Sequence, residues 1–422
     1  MKHQLAPRFA TYYPILVISL CACFLFYKYV LQIYPSVITE QLMKEYQLTG
    51  AGLGNLAATF YYAYMITQLF VGVMLDKYST RWLTSGAIFC CALGVFLFSQ
   101  TDSLLAAQLS RGLMGVGVAF ATVAYMKLAA NWFPPRQYAF VSGLLATAAM
   151  AGAVFGQAPL SFFVNAYGWR ETLLVVGLAG FALTLFFILT VRDTPNRFVD
   201  PLTNEKTKIY KEHISFAEIL KVFKNKQNWL LTFYSGLAFS PIAIFGGLWG
   251  NPFLVQAYDL SKNQAASMVS LVFIGLGIGS PIIGMFSDRL GDRRNVMLVS
   301  TLIACAAISL VLYCHPMPTL LLGFLLFLFG FALGAFMLVF AIGKELNNIA
   351  LTATVISMLN ASDAVLDAIT EPGIGKLLDL NWDGTIVNGV HYFSLQSYHF
   401  ALGVLPLYLL IASILLIWVK SK

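Results

Sequence analysis

Apolar positions along the chain gather into twelve long runs, near residues 13–37, 52–74, 83–100, 104–128, 140–164, 172–191, 229–250, 265–286, 296–314, 319–342, 352–376 and 396–419. Each is close to the roughly 20 consecutive apolar residues that a helix needs to cross a bilayer. Runs such as 320–342 are apolar on every face, whereas a membrane β-barrel would show segments of about 10 residues alternating apolar and polar. The pattern predicts an all-α polytopic membrane protein with 12 transmembrane helices. One long polar interruption divides them into two sets of six, so the expected organisation is an N-terminal six-helix bundle over 1–191, a linker over 192–228 and a C-terminal six-helix bundle over 229–422.

Composition agrees: 59% of the 422 residues are hydrophobic and only 11% charged, against about 25% charged in a soluble domain. Lys2 and Arg8 precede the first run in the manner of a signal peptide. That run is too long for a signal core and lacks a small-residue cleavage site behind it, so it is expected to stay as the first span. The net charge of +7 is explained by topology. With the amino terminus inside, 19 Lys and Arg residues fall in inner segments, eight of them in the linker, and only Lys44, Arg170, Lys262 and Lys376 fall outside. This bias predicts both termini in the cytoplasm, and nucleic acid is not an expected partner. The six cysteines lie in or beside apolar runs and behave as small hydrophobes.

The two sets of six share a repeat. Gly72, Asp76, Lys77 and Arg81 stand between runs 2 and 3, and Gly284, Asp288, Arg289 and Arg293 stand between runs 8 and 9. In both copies Asp follows Gly by four residues and Arg follows Asp by five. With Arg111-Gly112-Leu113-Met114-Gly115-Val116-Gly117 in run 4, Asn131-Trp132-Phe133-Pro134-Pro135-Arg136 after it, and Tyr167-Gly168-Trp169-Arg170 after run 5, the chain resembles the major facilitator superfamily of secondary transporters over its whole length. Ser79 stands where that family usually has a second glycine of the loop motif. The resemblance implies two halves rocking about a central cavity, with the repeated loop residues as a conformational gate. Within the family the chain is similar to bacterial uptake carriers for organic acids and amino acids, with a carboxylate siderophore as a further substrate type. An exporter is the alternative transport reading, and a receptor built on the same fold is the alternative outside transport. The exporter motif of run 5 is incomplete, because Gln157 replaces its proline and Pro159 is displaced by two positions.

Charges inside spans cost about 2.5 to 3.5 kcal/mol each at a helix centre. Six are present: Lys28, Arg111, Lys127, Asp363, Asp367 and Glu371. Lys127 and Glu371 lie close enough to span ends to snorkel toward water. Asn360, Asp363, Asp367 and Glu371, at spacings of three, four and four, share one helical stripe. That stripe forms either a static ion-pair network with Lys28 or a coupling site in which Asp363, Asp367 or Glu371 exchanges a proton or another cation. In the second reading Lys28 and Arg111 dock a substrate carboxylate or phosphate, with Tyr27, Gln32, Tyr61, Tyr125 and Asn360 as polar contacts; Asn55, Gln68 and Gln157 are further polar candidates. The histidines show no metal-ligand spacing and no phosphate-binding loop is present, so no metal or cofactor is expected and the driving force is a proton or cation gradient. The expected protein is a monomer in the cytoplasmic (inner) membrane, with membrane lipid and a small anionic or zwitterionic metabolite as partners, and without enzymatic activity.

Overall fold

The computed structural model describes residues 7–194, 222–347, 351–387 and 389–420. Twelve helical spans follow in order. In the first half they are span 1 (Pro7–Ile33, continued by a 3-10 turn Tyr34–Val37), span 2 (Gly50–Lys77), span 3 (Thr80–Gln100), span 4 (Leu104–Trp132), span 5 (Pro135–Phe155 and Ala158–Tyr167) and span 6 (Trp169–Thr190). The second half holds span 7 (Lys226–Ile244, a π-turn Phe245–Trp249, then Gly250–Tyr258), span 8 (Lys262–Leu290), span 9 (Arg293–Tyr313), span 10 (Thr319–Leu333, a 3-10 turn Gly334–Met337, then Leu338–Glu345), span 11 (Thr352–Leu380) and span 12 (Leu395–Leu402 and Val404–Ile417). A small hairpin, Ile386–Val387 with Val390–His391, connects spans 11 and 12. Most of the predicted linker, residues 195–221, lies outside the described residues.

Eleven of these helices are long and apolar enough to cross a membrane. The twelfth is span 11, where Asp363, Asp367 and Glu371 interrupt the apolar run. Helices extend two to three residues past several predicted runs because their ends are polar: span 2 opens with Thr49 as N-cap, accepting from Gly52 N–H, and span 8 opens with a Ser261/Gln264 capping box. Two spans are broken at mid-depth. Pro241 removes a backbone donor from span 7 ahead of the π-turn at Phe245–Trp249, and span 5 is interrupted at Gly156 and Gln157. Both breaks expose backbone polar groups inside the protein, where side chains can use them.

One end of the molecule carries the two repeated loops and the chain ends around Asp193, Gln227 and Lys420; we call it the linker face, and the opposite end the far face. The two halves meet where span 2 packs on span 11 and span 5 on span 8. Large side chains such as Phe89, Leu109, Phe186 and Leu320 point outward, as a lipid-facing surface requires.

Candidate functional site

Polar residues at the centre of the molecule come from spans 1, 2, 4, 7 and 11. Arg111 is 1% exposed and two of its donors are taken by the first half: it donates to the carbonyls of Leu31 (2.8 Å) and Ala57 (3.1 Å) and lies 5.2 Å from the ring centre of Tyr34 and 4.8 Å from that of Phe60, while its Nε has no hydrogen-bond partner among the described residues. It ties spans 1, 2 and 4 together. Nearby, Gln32 donates to the Tyr61 hydroxyl at 3.3 Å.

Lys28 is 7% exposed. Its ammonium sits over two tyrosine rings, 5.3 Å from the centre of Tyr29 and 5.0 Å from that of Tyr64. Among the described residues it forms no ion pair with a carboxylate, so the static network with the span 11 acids is not formed.

On span 11 the predicted stripe is present, and each acid has different surroundings. Asp363 Oδ1 accepts from the Ser235 hydroxyl at 2.8 Å. Asp367 and Glu371 are 1% and 2% exposed, and Asp367 Oδ1 and Glu371 Oε2 have no hydrogen-bond partner among the described residues. The snorkelling position open to Glu371 in the sequence is therefore corrected: it lies inside the seam between the halves, where its backbone carbonyl accepts from Trp249 Nε1 at 3.3 Å and its next residue packs on Gly54 of span 2. Asn360 is half-buried on the same stripe.

Two candidate substrate contacts are engaged elsewhere. Tyr27 donates to the Val176 carbonyl of span 6 at 3.2 Å, and Tyr125 to the Val141 carbonyl of span 5 at 2.7 Å. Both hydroxyls are used within the first half, away from the seam. Sequence reasoning missed Ser235 and Trp249, neither of which carries charge or belongs to a motif.

A cavity of about 690 Å³ opens between spans 2, 4 and 11 on the linker side of this centre, with Tyr64, Gln68, Gly72, Lys127, Asn131 and Ser357 in its wall. Tyr64 thus stands between Lys28 and open space. Lys127 donates to the Leu75 carbonyl.

The two ends of the seam differ. At the far face the halves are joined by Ser161 and Asn165 donating to Asn263 (both 2.7 Å), by Asn251 donating to Gln157 (2.8 Å) and to the Ser36 carbonyl (3.1 Å), by Gln157 donating to the Gly246 carbonyl, and by a Lys262–Glu40 ion pair. At the linker face a Cβ added to Gly72 or Gly284 would meet nothing within 4 Å. Of the predicted gate residues, Arg293 pairs with Asp288 and Glu345 within its own half, both at 3.1 Å. Arg81 donates from Nε to the Ile188 carbonyl at 2.8 Å, and its backbone N–H bonds Asp193 at 2.6 Å. Lys77 and Arg289 are exposed, and the side chain of Asp76 lies outside the described residues.

This architecture, two six-helix halves around a central polar site reached from one face, is that of a membrane transporter fold. The Major Facilitator Superfamily model matches residues 18–252 and 237–420. The chain belongs to the Major Facilitator Superfamily. It is 22% identical to the probable sulfoacetate transporter SauU of Cupriavidus necator, over 66% of each chain. With the probable galactarate/D-glucarate transporter GarP of Escherichia coli it shares 22% identity, over 71% of this chain and 74% of that one. The matched stretch spans 60 to 74% of the length of the curated relatives. Among solved structures it is similar in fold to a bacterial homologue of the human lysosomal transporter Spinster in an inward-facing and occupied conformation, with a TM-score of 0.77, 14% identity and 97% of each chain covered.

Proposed function

We propose that the protein is a secondary transporter that carries a small anionic or zwitterionic metabolite, of the organic-acid type, across the cytoplasmic membrane by alternating access coupled to protons. The observation that carries this reading is Lys28, a buried cation whose neighbours are tyrosine rings and which has no carboxylate partner among the described residues. A buried charge without a counter-ion is costly, and a substrate carboxylate arriving past Tyr64 would supply one. The substrates for which these relatives are named, sulfoacetate and galactarate or D-glucarate, are small organic acids and support this class.

Arg111 has a different part. Its two terminal nitrogens are held by the carbonyls of Leu31 and Ala57, so it fixes the geometry of spans 1, 2 and 4 around the site. Proton coupling is assigned to the span 11 stripe. Asp363 is held by Ser235, while Asp367 and Glu371, one turn apart, each keep an oxygen free of donors and can carry a proton from one face to the other. With both termini in the cytoplasm, as the Lys and Arg bias predicts, the cavity between spans 2, 4 and 11 opens inward, which supports reading it as the route by which an imported substrate leaves.

Purified protein in liposomes tests the reading. With the outside acidic, labelled galactarate or sulfoacetate accumulates in the lumen, and a neutral sugar alcohol does not. Equal uptake with and without a pH gradient would remove the coupling, and no uptake of any acid in a panel of carboxylates and amino acids would remove the substrate class.

A further inference from the structure

Span 2 starts at the far face with N–H groups that have no acceptor in their own helix, as every helix does. Two of them are taken by a single carboxylate of the other half. Gly50 N–H bonds Asp379 Oδ1 at 2.7 Å and Ala51 N–H bonds Asp379 Oδ2 at 2.8 Å. Asp379 lies in the last turn of span 11, eight residues beyond Glu371. The reach is possible because glycines meet there: a Cβ on Gly375 would lie 2.0 Å from the Gly50 carbonyl oxygen.

The carboxylate is also covered from the outside, without a further hydrogen bond among the described residues. His391, in the hairpin after span 11, stacks face to face on Trp382 with ring centres 3.8 Å apart, and its Nδ1 lies 3.9 Å from Asp379 Oδ1. Phe393 packs against Gly50. Among the described residues, the other far-face contacts between the halves are neutral amide and hydroxyl bonds and a half-exposed Lys262–Glu40 pair. Asp379 differs from them: it sets a full negative charge against the positive end of a helix and makes two charge-assisted bonds to backbone.

We propose that Asp379 is the latch of the far gate, a positioning residue that sets how often the far face opens. The proposal rests on the alternating-access reading above. Opening the far face withdraws the start of span 2 from Asp379 and returns both N–H groups to water. Without the carboxylate that step loses two charge-assisted bonds that oppose it, and the far-open population rises by about tenfold or more, the equivalent of losing at least one of them.

The test uses the full chain in nanodiscs, with its six native cysteines replaced and uptake retained. One nitroxide pair goes on the far face (Lys44→Cys with Asp259→Cys) and one on the linker face (Tyr78→Cys with Leu290→Cys). Distance distributions are recorded at acid and alkaline pH, with and without galactarate. Asp379→Ala is expected to enrich the long far-face distance and the short linker-face distance together, and Asp379→Glu, which keeps the charge, to return both toward the unsubstituted protein. If Asp379→Ala lowers thermal stability but leaves both populations unchanged, Asp379 is only a structural cap and the latch is overturned. If the unsubstituted protein holds one distance under every condition, rocking itself is contradicted, and the latch with it.

Discussion

Two glycines of the same helix have opposite surroundings. Gly54 of span 2 is so close to span 11 that an added Cβ would lie 2.4 Å from the Glu371 carbonyl oxygen, whereas Gly72, about 27 Å further along the helix at 1.5 Å per residue, faces nothing within 4 Å. The seam between the halves is therefore shut at one end and parted at the other, with the charged centre between. Backbone-to-backbone packing of small residues is a main adhesive between helices where lipid removes the hydrophobic drive. At the linker face Gly72 and Gly284 meet no such partner, and under the alternating-access proposal they are the positions a reciprocal closed state would use. Under the alternating-access proposal, this difference makes the structure one of two arrangements of a single seam.

The largest effect is expected from blocking the closed end. Gly54→Val or Gly375→Val places side-chain carbons where backbone now lies, so uptake in liposomes should fall to background while the protein still folds with the far face open. Far-face cysteine labelling that stays as slow as in the unsubstituted protein would show that the seam tolerates the bulk.

At the centre, Asp363→Asn and Asp367→Asn separate the charge from the seam. Each is expected to abolish accumulation driven by a pH gradient while leaving exchange of labelled for unlabelled substrate. If both variants keep pH-driven accumulation, the span 11 stripe is not the coupling site. Lys28→Ala should weaken an anionic substrate by about ten- to a hundredfold, from the roughly 1.5 to 3 kcal/mol of a hydrogen bond to a charged group, with little change for a neutral analogue. An equal loss for both would reduce Lys28 to a packing residue.

The smallest effect belongs to the parted end. Gly72→Ala and Gly284→Ala enter open space, so thermal stability should stay within about 0.5 kcal/mol. Turnover should slow by a few-fold, because these glycines matter only when the linker face closes. Unchanged turnover would mean that the linker face never packs at Gly72 or Gly284.

The sequence made legible what repeats and what costs energy. Twelve apolar runs, the duplicated Gly-to-Asp-to-Arg spacing and the acids at helical intervals on span 11 led directly to the fold and to the stripe. Side-chain direction was not legible. Nothing in a list of residues separates a buried arginine that meets substrate from Arg111, which meets the carbonyls of Leu31 and Ala57, or a free tyrosine from Tyr27 and Tyr125, whose hydroxyls end on Val176 and Val141. The far gate was hidden for another reason. It is made of backbone N–H groups, single residues such as Asp379, Gln157 and Asn263, and glycine contacts, and none of these forms a repeated motif. Gln157 stands in the sequence as a departure from the exporter pattern and as one polar candidate among several, and the structure gives its reason: in the break of span 5 it bonds Ser36 of its own half and Gly246 and Asn251 across the seam, work that a proline could not do.

The central claim is that the two ends of the seam open and close in opposition. Hydrogen exchange of the reconstituted protein reads both ends in one sample. On moving from alkaline to acid pH and on adding galactarate, exchange in the segment 50–53 and in the segment 285–295 should change in opposite directions. If both segments speed up or slow down together, or if neither responds, the alternating seam is contradicted.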